Sequence, residues 1–380
     1  MKISFIIQDL FQQGAQYVTA MMLRGFVDKG YDVDLLVSKV HINLLQNGDI
    51  KPFDIPKETH LKVLPDEKAR NNIMAIRKYI LETVPDAIVA MSSNYTLALA
   101  LASICLPRRI KKKCIFAYVE HSSFAGFDLK TMQPTQPRRF TPGWFYSLFI
   151  KKSYHVIMGV SEGTSKNIEY HMRCQPGRVF TVYNPVIDAQ YWEKLKEAPS
   201  HPWIIEKDIP TMVAAGAHCL FKNHMCLFEA IRIANEKVPV RLVLFGKGEL
   251  TEIYSKWIKD NKMSERISLA GHTTNLPAEI HSSDGFIISS NQESFSVVLV
   301  EALASGVPVI STNCPYGPPE ILRNGKYGTL VQVNNSNAMA AAIIDHIMNP
   351  KQGAPKESWE PYTLDKIVDS YEKALGISNC

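Results

Sequence analysis

Hydrophobic positions in the first half of the chain fall into short runs separated by longer stretches with a helical pattern. The runs KISFII, DVDLLV, AIVAM and HVIMGV are rich in Ile and Val, and an amphipathic stretch from Gln16 to Lys29 lies between the first two. Continuous apolar runs of strand length are typical of strands buried on both faces. The pattern predicts a parallel sheet covered by helices.

A second series of the same kind follows, with the runs TMVAAG, RLVLFG, RISLAG, GFIISS, VPVIST and TLVQV. Between the two series the pattern breaks at Asn184-Pro185-Val186, and a polar stretch with prolines continues to Pro210; it is the candidate linker. We therefore expect an α/β protein with two Rossmann-like, doubly wound domains, residues 1–190 and 191–355. Ligands of such sheets bind outside the carboxyl ends of the strands, in a central cleft.

The bulk properties are those of a globular protein, with 380 residues, 46% hydrophobic and 21% charged. The first apolar run is too short for a signal peptide, and the run from Tyr95 to Leu106 is shorter than the roughly 20 residues of a membrane span. The cysteines are odd in number and scattered, without the spacing of a metal or redox site. We expect a cytoplasmic protein that needs no metal.

Positive charge is concentrated in the first half of the chain. Lys and Arg cluster within residues 108–113 and again within 138–152, where aromatic residues lie between the charges. This arrangement is typical of a segment at a membrane interface, so an anionic membrane surface is one candidate partner. For any single cluster, a solvated basic face beside a core helix is the more common explanation. No nucleic-acid recognition motif is found, so nucleic acid is not an expected partner.

The candidate chemistry is concentrated in the stretch GFIISSNQESFSVVLVEALASGVPVIST, which predicts a strand, a polar turn, a helix that ends near Gly306 and a strand. Ser294 and Ser296 are suitable helix caps, and free amides at a helix start bind phosphate groups. Glu293 precedes the helix, and Glu301 follows eight residues later, about 12 Å along the axis. Two carboxylates so placed suit the opposite ends of an extended ligand.

Each glutamate also has an ordinary explanation, as a loop acid or a solvated helix residue. Glu301, however, is flanked by VVLV and ALA, so its helix is apolar on almost every side. A charge in that position needs a partner.

Glycine and histidine residues stand at several predicted strand ends, namely Gly14, His121, Gly216, Gly246 and Gly248. One such glycine alone is usually a turn residue, and a histidine after an apolar strand is commonly a satisfied core residue. Their recurrence in both halves favours a binding role. The first strand is not followed by G-x-G-x-x-G, so a dinucleotide-dependent dehydrogenase lacks its fingerprint.

These motifs, in this order, resemble the retaining GT-B glycosyltransferases of family four, the glycosyl transferases group 1, whose hallmark is Glu, seven residues, Glu. The resemblance covers nearly the whole chain. It includes Glu120-His121, Asn184-Pro185-Val186, the turn from Gly216 to Asn223, Gly246-Lys247-Gly248-Glu249 and ALASGVPVIST. It implies a GT-B fold in which the first domain binds the acceptor, the second binds a nucleotide-sugar, and the last helix, within residues 361–380, crosses back onto the first domain.

The resemblance also implies roles for single residues. Glu301 would bind the ribose, Glu293 the donor sugar, and Lys222 the departing diphosphate, while His121 would lie near the donor sugar and the acceptor hydroxyl. The remaining donor contacts would come from backbone and small residues: Gly14, Gly216, Gly246, Gly271, His272, Ser294, Phe295, Ser296 and Val297.

The implied reaction is attack on the same face of the sugar, with the leaving phosphate accepting the proton of the acceptor. No carboxylate nucleophile and no metal or other cofactor is then required. The expected donor is a UDP-sugar, and the expected acceptor is a hydroxyl of a glycan or a lipid-linked glycan in cell-envelope polysaccharide or lipopolysaccharide biosynthesis. Such an acceptor places the enzyme in the cytoplasm, at the inner face of the membrane.

The chain departs from the family pattern at two positions. Ala217 stands where an arginine is usual, and Ser294 stands where a glycine is usual. His218, Lys247 or a basic residue of the first half would have to supply the missing charge. The departures also leave a second function open, a catalytically weak sugar-nucleotide-binding or scaffold subunit. An epimerase or a phosphorylase on the same fold is a third, without support from any motif.

Overall fold

The computed structural model of the protein describes residues 1–10, 14–39, 55–104, 106–121, 127–128, 133–134 and 142–377. The chain forms two compact units. The first contains residues 1–185 and 364–380, and the second contains residues 186–363. The first division lies a few residues before the expected boundary at 190, and the second unit extends past the expected end at 355.

The first unit is built on a parallel sheet with the strand order β3-β2-β1-β4-β5-β8-β9 and a separate antiparallel pair, β6 and β7. The strands are β1 (Lys2–Ile7), β2 (Asp32–Ser38), β3 (His60–Leu64), β4 (Ala87–Ala90), β5 (Ile115–Glu120), β6 (Phe127–Asp128), β7 (Gln133–Pro134), β8 (Val156–Gly159) and β9 (Phe180–Thr181). Its helices include α1 (Gly14–Asp28), α2 (Ile73–Thr83), α3 (Ser93–Ser103), α4 (Arg108–Lys113), α5 (Pro142–Ser153) and α6 (Glu162–Met172).

The second unit is built on a parallel sheet with the strand order β12-β11-β10-β13-β14-β15. Its strands are β10 (Thr211–Ala215), β11 (Arg241–Phe245), β12 (Ile267–Gly271), β13 (Gly285–Ile288), β14 (Val309–Thr312) and β15 (Thr329–Val331). Its helices are α7 (Ala189–Leu195), α8 (Pro202–Glu206), α9 (His224–Ala234), α10 (Thr251–Asp260), α11 (Leu276–His281), α12 (Val297–Ala304), α13 (Gly317–Ile321) and α14 (Ser336–Met348).

The final helix, α15 (Leu364–Leu375), belongs to the first unit although it follows the second in sequence. It packs on α1, where a side chain at Gly25 would lie 2.5 Å from a methyl group of Val368, so only glycine fits without movement. The carboxylate of Glu372 is buried and accepts hydrogen bonds from Lys29 and from the hydroxyl of Tyr31, each at 2.7 Å. These contacts fix the last helix to the start of the chain.

The two parallel sheets confirm the predicted fold class, since nearly every apolar run that predicts a strand forms one. Burial of the strands explains why the apolar runs predict them. Strand residues such as Phe5, Val89, Val213 and Phe286 are fully buried, as expected for sheets with helices on both faces. The short strands β3 and β9 were not predicted, because their residues are mostly exposed and lack an apolar run.

The break in the pattern at Asn184-Pro185-Val186 coincides with the division between the two units, but the polar stretch that continues to Pro210 is not a linker, because it carries α7 and α8 of the second unit. Its polar residues are helix caps. The carboxylate of Asp188 accepts the amide of Tyr191 at the start of α7, and the ring of His201 accepts the amide of Trp203 at the start of α8. Proline at the first turn of α8 is compatible with a helix because that amide has no helical partner.

The two basic segments lie in or beside helices of the first unit. In α4, Ile110 is buried while Arg108, Arg109 and Lys112 are exposed, so this helix presents positive charge to solvent. In the second segment, 138–152, the residues from 142 onward belong to α5. Arg138 and Arg139 lie outside the described residues. No helix in the described part of the chain has both the length and the apolar character needed to cross a bilayer.

Candidate functional site

An ion pair stands at the carboxyl ends of β10 and β13 in the second unit. The Nζ atom of Lys222 lies 2.6 Å from Oε1 of Glu293, and the hydroxyl of Ser290 donates to the same oxygen at 2.7 Å. The side chains are 25% and 11% exposed, respectively. Burial lowers the pKa of Lys222, but the carboxylate of Glu293 raises it by more, so the pKa is raised and the ammonium stays charged.

Hydrogen bonds to the main chain hold both partners of this pair in place. The hydroxyl of Ser289 donates to the carbonyl of Lys222 at 2.8 Å, and the amide of Glu293 donates to the carbonyl of Pro315 at 2.7 Å. The carbonyl of Glu293 in turn accepts the amide of Tyr316. Because each loop is tied to a neighbouring strand end, the ion pair is preorganised.

The segment after Glu293 leads into α12 through an unusual residue. Ser296 has φ +90°, a region that residues other than glycine rarely occupy, and its hydroxyl is buried without a hydrogen-bond partner in the described structure. The prediction that Ser296 caps the helix with its side chain is wrong, because its hydroxyl accepts no amide. The first-turn amides, at Val297 and Val298, have no carbonyl acceptor within the helix. They form a donor set suited to an anion.

Glu301 lies on α12 among the buried residues Leu299, Val300, Ala302 and Leu303. Its side chain is half-buried, and no group in the described part of the chain donates a hydrogen bond to its carboxylate. Burial raises the pKa of Glu301 to about 7, and the positive charge of Lys194 only partly offsets this. The sequence indicated that a charge here needs a partner, and no residue that the structure describes donates a hydrogen bond to it.

Three glycines form a row at the ends of neighbouring strands: Gly216 after β10, Gly246 after β11 and Gly271 at the end of β12. The amide of Gly246 donates to the carbonyl of Gly271 at 2.7 Å, and a side chain at Gly246 would lie 2.1 Å from the carbonyl oxygen of Gly216. This close approach requires glycine at 246. A side chain at Gly216 would lie 3.3 Å from Cε of Lys222, so this row borders the ion pair.

Two histidines near this row face inward. His218 is fully buried, and its Nδ1 lies 2.8 Å from the hydroxyl of Thr251. Burial lowers its pKa, and His224 beside it has a pKa lowered to about 3 for the same reason. Both rings are therefore neutral at pH 7. The expectation that His218 could supply the charge missing at Ala217 is wrong. His272, after Gly271, is exposed.

The two candidate residues of the first unit lie in different places. Gly14 begins α1, and outside its own helix and its chain neighbours no described atom lies within 4 Å of the place a side chain would occupy. His121 directly follows β5, and burial lowers its pKa to about 4, so its ring is neutral. Neither ring nitrogen has a hydrogen-bond partner among the residues that are described. The participation of Gly14 and His121 in a donor site stays a prediction.

Sequence reasoning missed several residues that position the site. Ser290 and Tyr191 gave no signal, because each acts through contacts with residues distant in sequence. It also missed a group of three potential metal ligands, Asp32, Asp34 and His60. The ammonium of Lys2 lies 3.0 Å from Asp32 and 3.2 Å from Asp34, so these carboxylates already have a cation.

Residues 201–360 match the model of the family described as glycosyl transferases group 1. The fold is that of the GT-B class, and the part of the chain within residues 201–360 is similar to the glycosyl transferases group 1 family.

Curated relatives and solved structures show similarity of the same kind. The chain is 25% identical to the N-acetyl-alpha-D-glucosaminyl L-malate synthase of Bacillus anthracis, over 54% of this chain and 55% of the relative. It is 28% identical to an N-acetylgalactosamine-N,N'-diacetylbacillosaminyl-diphospho-undecaprenol 4-alpha-N-acetylgalactosaminyltransferase of Campylobacter jejuni, over 48% of each chain. The chain thus spans about half the length of these curated relatives. The crystal structure of Anabaena HepE in complex with UDP superposes with a TM-score of 0.74 at 15% identity, over 99% of this chain and 100% of that one.

Proposed function

We propose that the protein is a retaining glycosyltransferase that moves a sugar from a UDP-sugar to a hydroxyl of a glycan or lipid-linked acceptor in cell-envelope polysaccharide biosynthesis. The observation that carries the proposal is Glu301. Its half-buried carboxylate accepts no hydrogen bond within the described structure and has its pKa raised to about 7. A pair of ribose hydroxyls supplies the missing donors.

The ion pair and the start of α12 support binding of the rest of the donor. Lys222 neutralises charge on the departing diphosphate, and the amides at Val297 and Val298 donate to its oxygens. Glu293 accepts hydroxyls of the donor sugar with the oxygen that Ser290 and Lys222 leave free. Gly271 and His272 border the base. UDP is proposed because relatives of this fold, such as HepE, are found with it.

The proposed transfer needs no carboxylate nucleophile. The acceptor oxygen forms a bond to the anomeric carbon on the face that the diphosphate leaves, the bond from that carbon to the phosphate oxygen breaks, and the phosphate takes the acceptor proton. The charge that develops on the diphosphate is stabilised by Lys222, so the proposal requires no metal. The proposal also gives a role to His121 beside the donor sugar, where its ring, neutral because burial lowers its pKa to about 4, can donate or accept a hydrogen bond without adding charge.

We place the acceptor on the first unit, in the cytoplasm at the inner face of the membrane. The exposed basic residues of α4 and the aromatic residue Phe145 of α5, which is 54% exposed, suit a surface that touches anionic lipid headgroups. Flotation with anionic liposomes at low salt tests this part, and the absence of binding would contradict it.

The experiment that tests the function itself is donor turnover. The wild-type chain is incubated with a panel of UDP-sugars, and the release of UDP is followed over time. A transferase releases UDP from at least one member, by slow hydrolysis when no acceptor is present. A protein that only binds sugar nucleotides releases none.

A further inference from the structure

The charged side chains of the proposed donor site do not provide the net positive charge that binds a diphosphate. Lys222 and Glu293 form a close ion pair at 2.6 Å and together carry no net charge. Glu301 adds negative charge whenever it is ionised. A nucleoside diphosphate is strongly anionic, so a second cation near the strand ends is needed to offset these carboxylates.

Two positions near the glycine row, His218 and Ala217, do not provide a positive charge for a diphosphate. His218 is fully buried and its Nδ1 is engaged with Thr251, while its ring packs against His224 with centroids 5.7 Å apart. Ala217 is exposed but carries no charge. Neither position supplies the second cation.

The loop after β11 places Lys247 in the required position. Its carbonyl accepts the amide of His218 at 3.1 Å, so Lys247 and Ala217 lie on adjacent, hydrogen-bonded loops. Its side chain extends across the end of β12, where Cε lies 3.2 Å and Nζ 3.9 Å from the place that a side chain at Gly271 would occupy. Lys247 is exposed and forms no ion pair within the described structure.

The two lysines therefore flank the glycine row from opposite sides. Lys222 lies against Gly216 at the end of β10, and Lys247 lies against Gly271 at the end of β12, with β11 between them. Adjacent strands are about 4.8 Å apart, so the ends of β10 and β12 are separated by about 10 Å. Because Gly271 borders the base in the proposed site, the stem of Lys247 has to swing from Gly271 toward Gly216 to reach the diphosphate, and an exposed lysine side chain is flexible enough to do so.

We infer that Lys247 is a diphosphate-binding residue of this chain, and that it supplies the positive charge which Lys222 loses to its pairing with Glu293. The inference rests on the proposed function, because it assumes that the glycine row receives a nucleoside diphosphate. It also adds a contact that determines specificity, because Lys247 favours nucleoside diphosphates over nucleoside monophosphates.

The test is the affinity of purified wild-type chain and variants for UDP and for UMP, measured by titration calorimetry. Lys247→Met keeps the length of the stem and removes the charge. Loss of one charge-assisted contact should weaken UDP binding about 10-fold. UMP binding should weaken less than about 3-fold, since UMP lacks the second phosphate.

Two further variants sharpen the result. Lys256→Met on α10 removes another exposed lysine of the same unit, one that is not among the nearest atoms to any glycine of the row, and should leave both affinities unchanged. Adding Ala217→Arg to Lys247→Met returns a positive charge from the adjacent loop and should recover most of the UDP affinity.

The outcomes separate the two proposals. If the wild-type chain binds UDP and Lys247→Met binds it with the same affinity, the role of Lys247 is overturned, while the proposed function is not. Equal losses for UDP and UMP also overturn it, because the contact would then not depend on the second phosphate. A wild-type chain that binds neither nucleotide overturns the proposed UDP donor, and this inference with it.

Discussion

Glu301 illustrates how one residue can be predicted from its neighbours in sequence. The letters around it predict an apolar helix, and the structure places its carboxylate half-buried without a hydrogen-bond donor among the described residues. The sequence cannot show the size of the effect, because the pKa of about 7 arises from tertiary burial.

This raised pKa predicts a pH dependence of donor binding. Ribose hydroxyls donate to the ionised carboxylate, so binding favours the deprotonated form. Since the pKa in the free protein is about 7, the carboxyl is mostly protonated at pH 6 and mostly ionised at pH 8. Affinity for UDP-glucose should therefore increase about 10-fold from pH 6 to pH 8.

UDP-glucose suits this measurement because its diphosphate carries no proton in this pH range. The control is Glu301→Gln, which keeps the shape of the side chain and removes the titration. Its affinity should be lower and flat with pH. A wild-type affinity that stays constant or falls between pH 6 and pH 8 would contradict the proposed role.

Lys222 and Glu293 show where residue-level prediction from sequence stops. Each was singled out, but 71 positions separate them, and nothing in the sequence indicates that their side chains meet. His218 shows the opposite problem. Its position beside Ala217 suggested a charge-bearing role, whereas the fold turns its ring into the core.

At the scale of elements, α12 is held at its C-terminal end by contacts that no sequence pattern indicates. The hydroxyl of Tyr191, on α7, lies 2.8 Å from the carbonyl of Glu301 and 2.9 Å from the hydroxyl of Ser305. The ring of His281 lies 2.7 Å from the carbonyl of Ser305. The bond from His281 satisfies the carbonyl of Ser305 at the helix end, and Tyr191 adds a donor to the carbonyl of Glu301, which also accepts the amide of Ser305, so these contacts fix the helix that carries Glu301.

Tyr191→Phe should therefore destabilise the protein. It removes a buried hydroxyl together with its hydrogen bonds and leaves the carbonyl of Glu301 with one donor fewer. The expected loss is about 1–2 kcal/mol in the free energy of unfolding, measured by chemical denaturation.

Tyr254→Phe is the matched control in the same unit. Tyr254 is also fully buried, but its hydroxyl has no hydrogen-bond partner in the described structure. Its removal should be neutral or slightly stabilising. If both variants lose the same stability, the loss is not due to the bonds of Tyr191, and the proposed support of α12 is wrong.

At the scale of the whole molecule, the sequence predicts the fold class well because both sheets are parallel and buried. Buried strands produce continuous apolar runs, and these appear in the sequence without knowledge of any partner strand. The edge strand β3, with four of its five residues exposed, gives no such run. The polar, proline-bearing stretch after Pro185 was mistaken for a linker because helix caps and loops use the same residues.

The return of the last helix to the first unit is a feature that local pattern does not reveal. It was expected from the family resemblance, and the structure explains it by the packing of α15 on α1 and the buried carboxylate of Glu372. Those contacts join positions more than 340 residues apart in the chain. Burial of this kind depends on the complete fold.

The central claim is that sugar transfer takes place at the site formed by Lys222, Glu293 and Glu301. The most direct test is the rate of UDP release from the preferred UDP-sugar by wild-type chain, Lys222→Ala and Glu293→Ala, with Lys256→Ala as the surface control. Loss of preorganised charge stabilisation should lower the rate of each site variant by about 10²–10³-fold. The control should match wild type. Site variants that turn over the donor as fast as wild type would contradict the account.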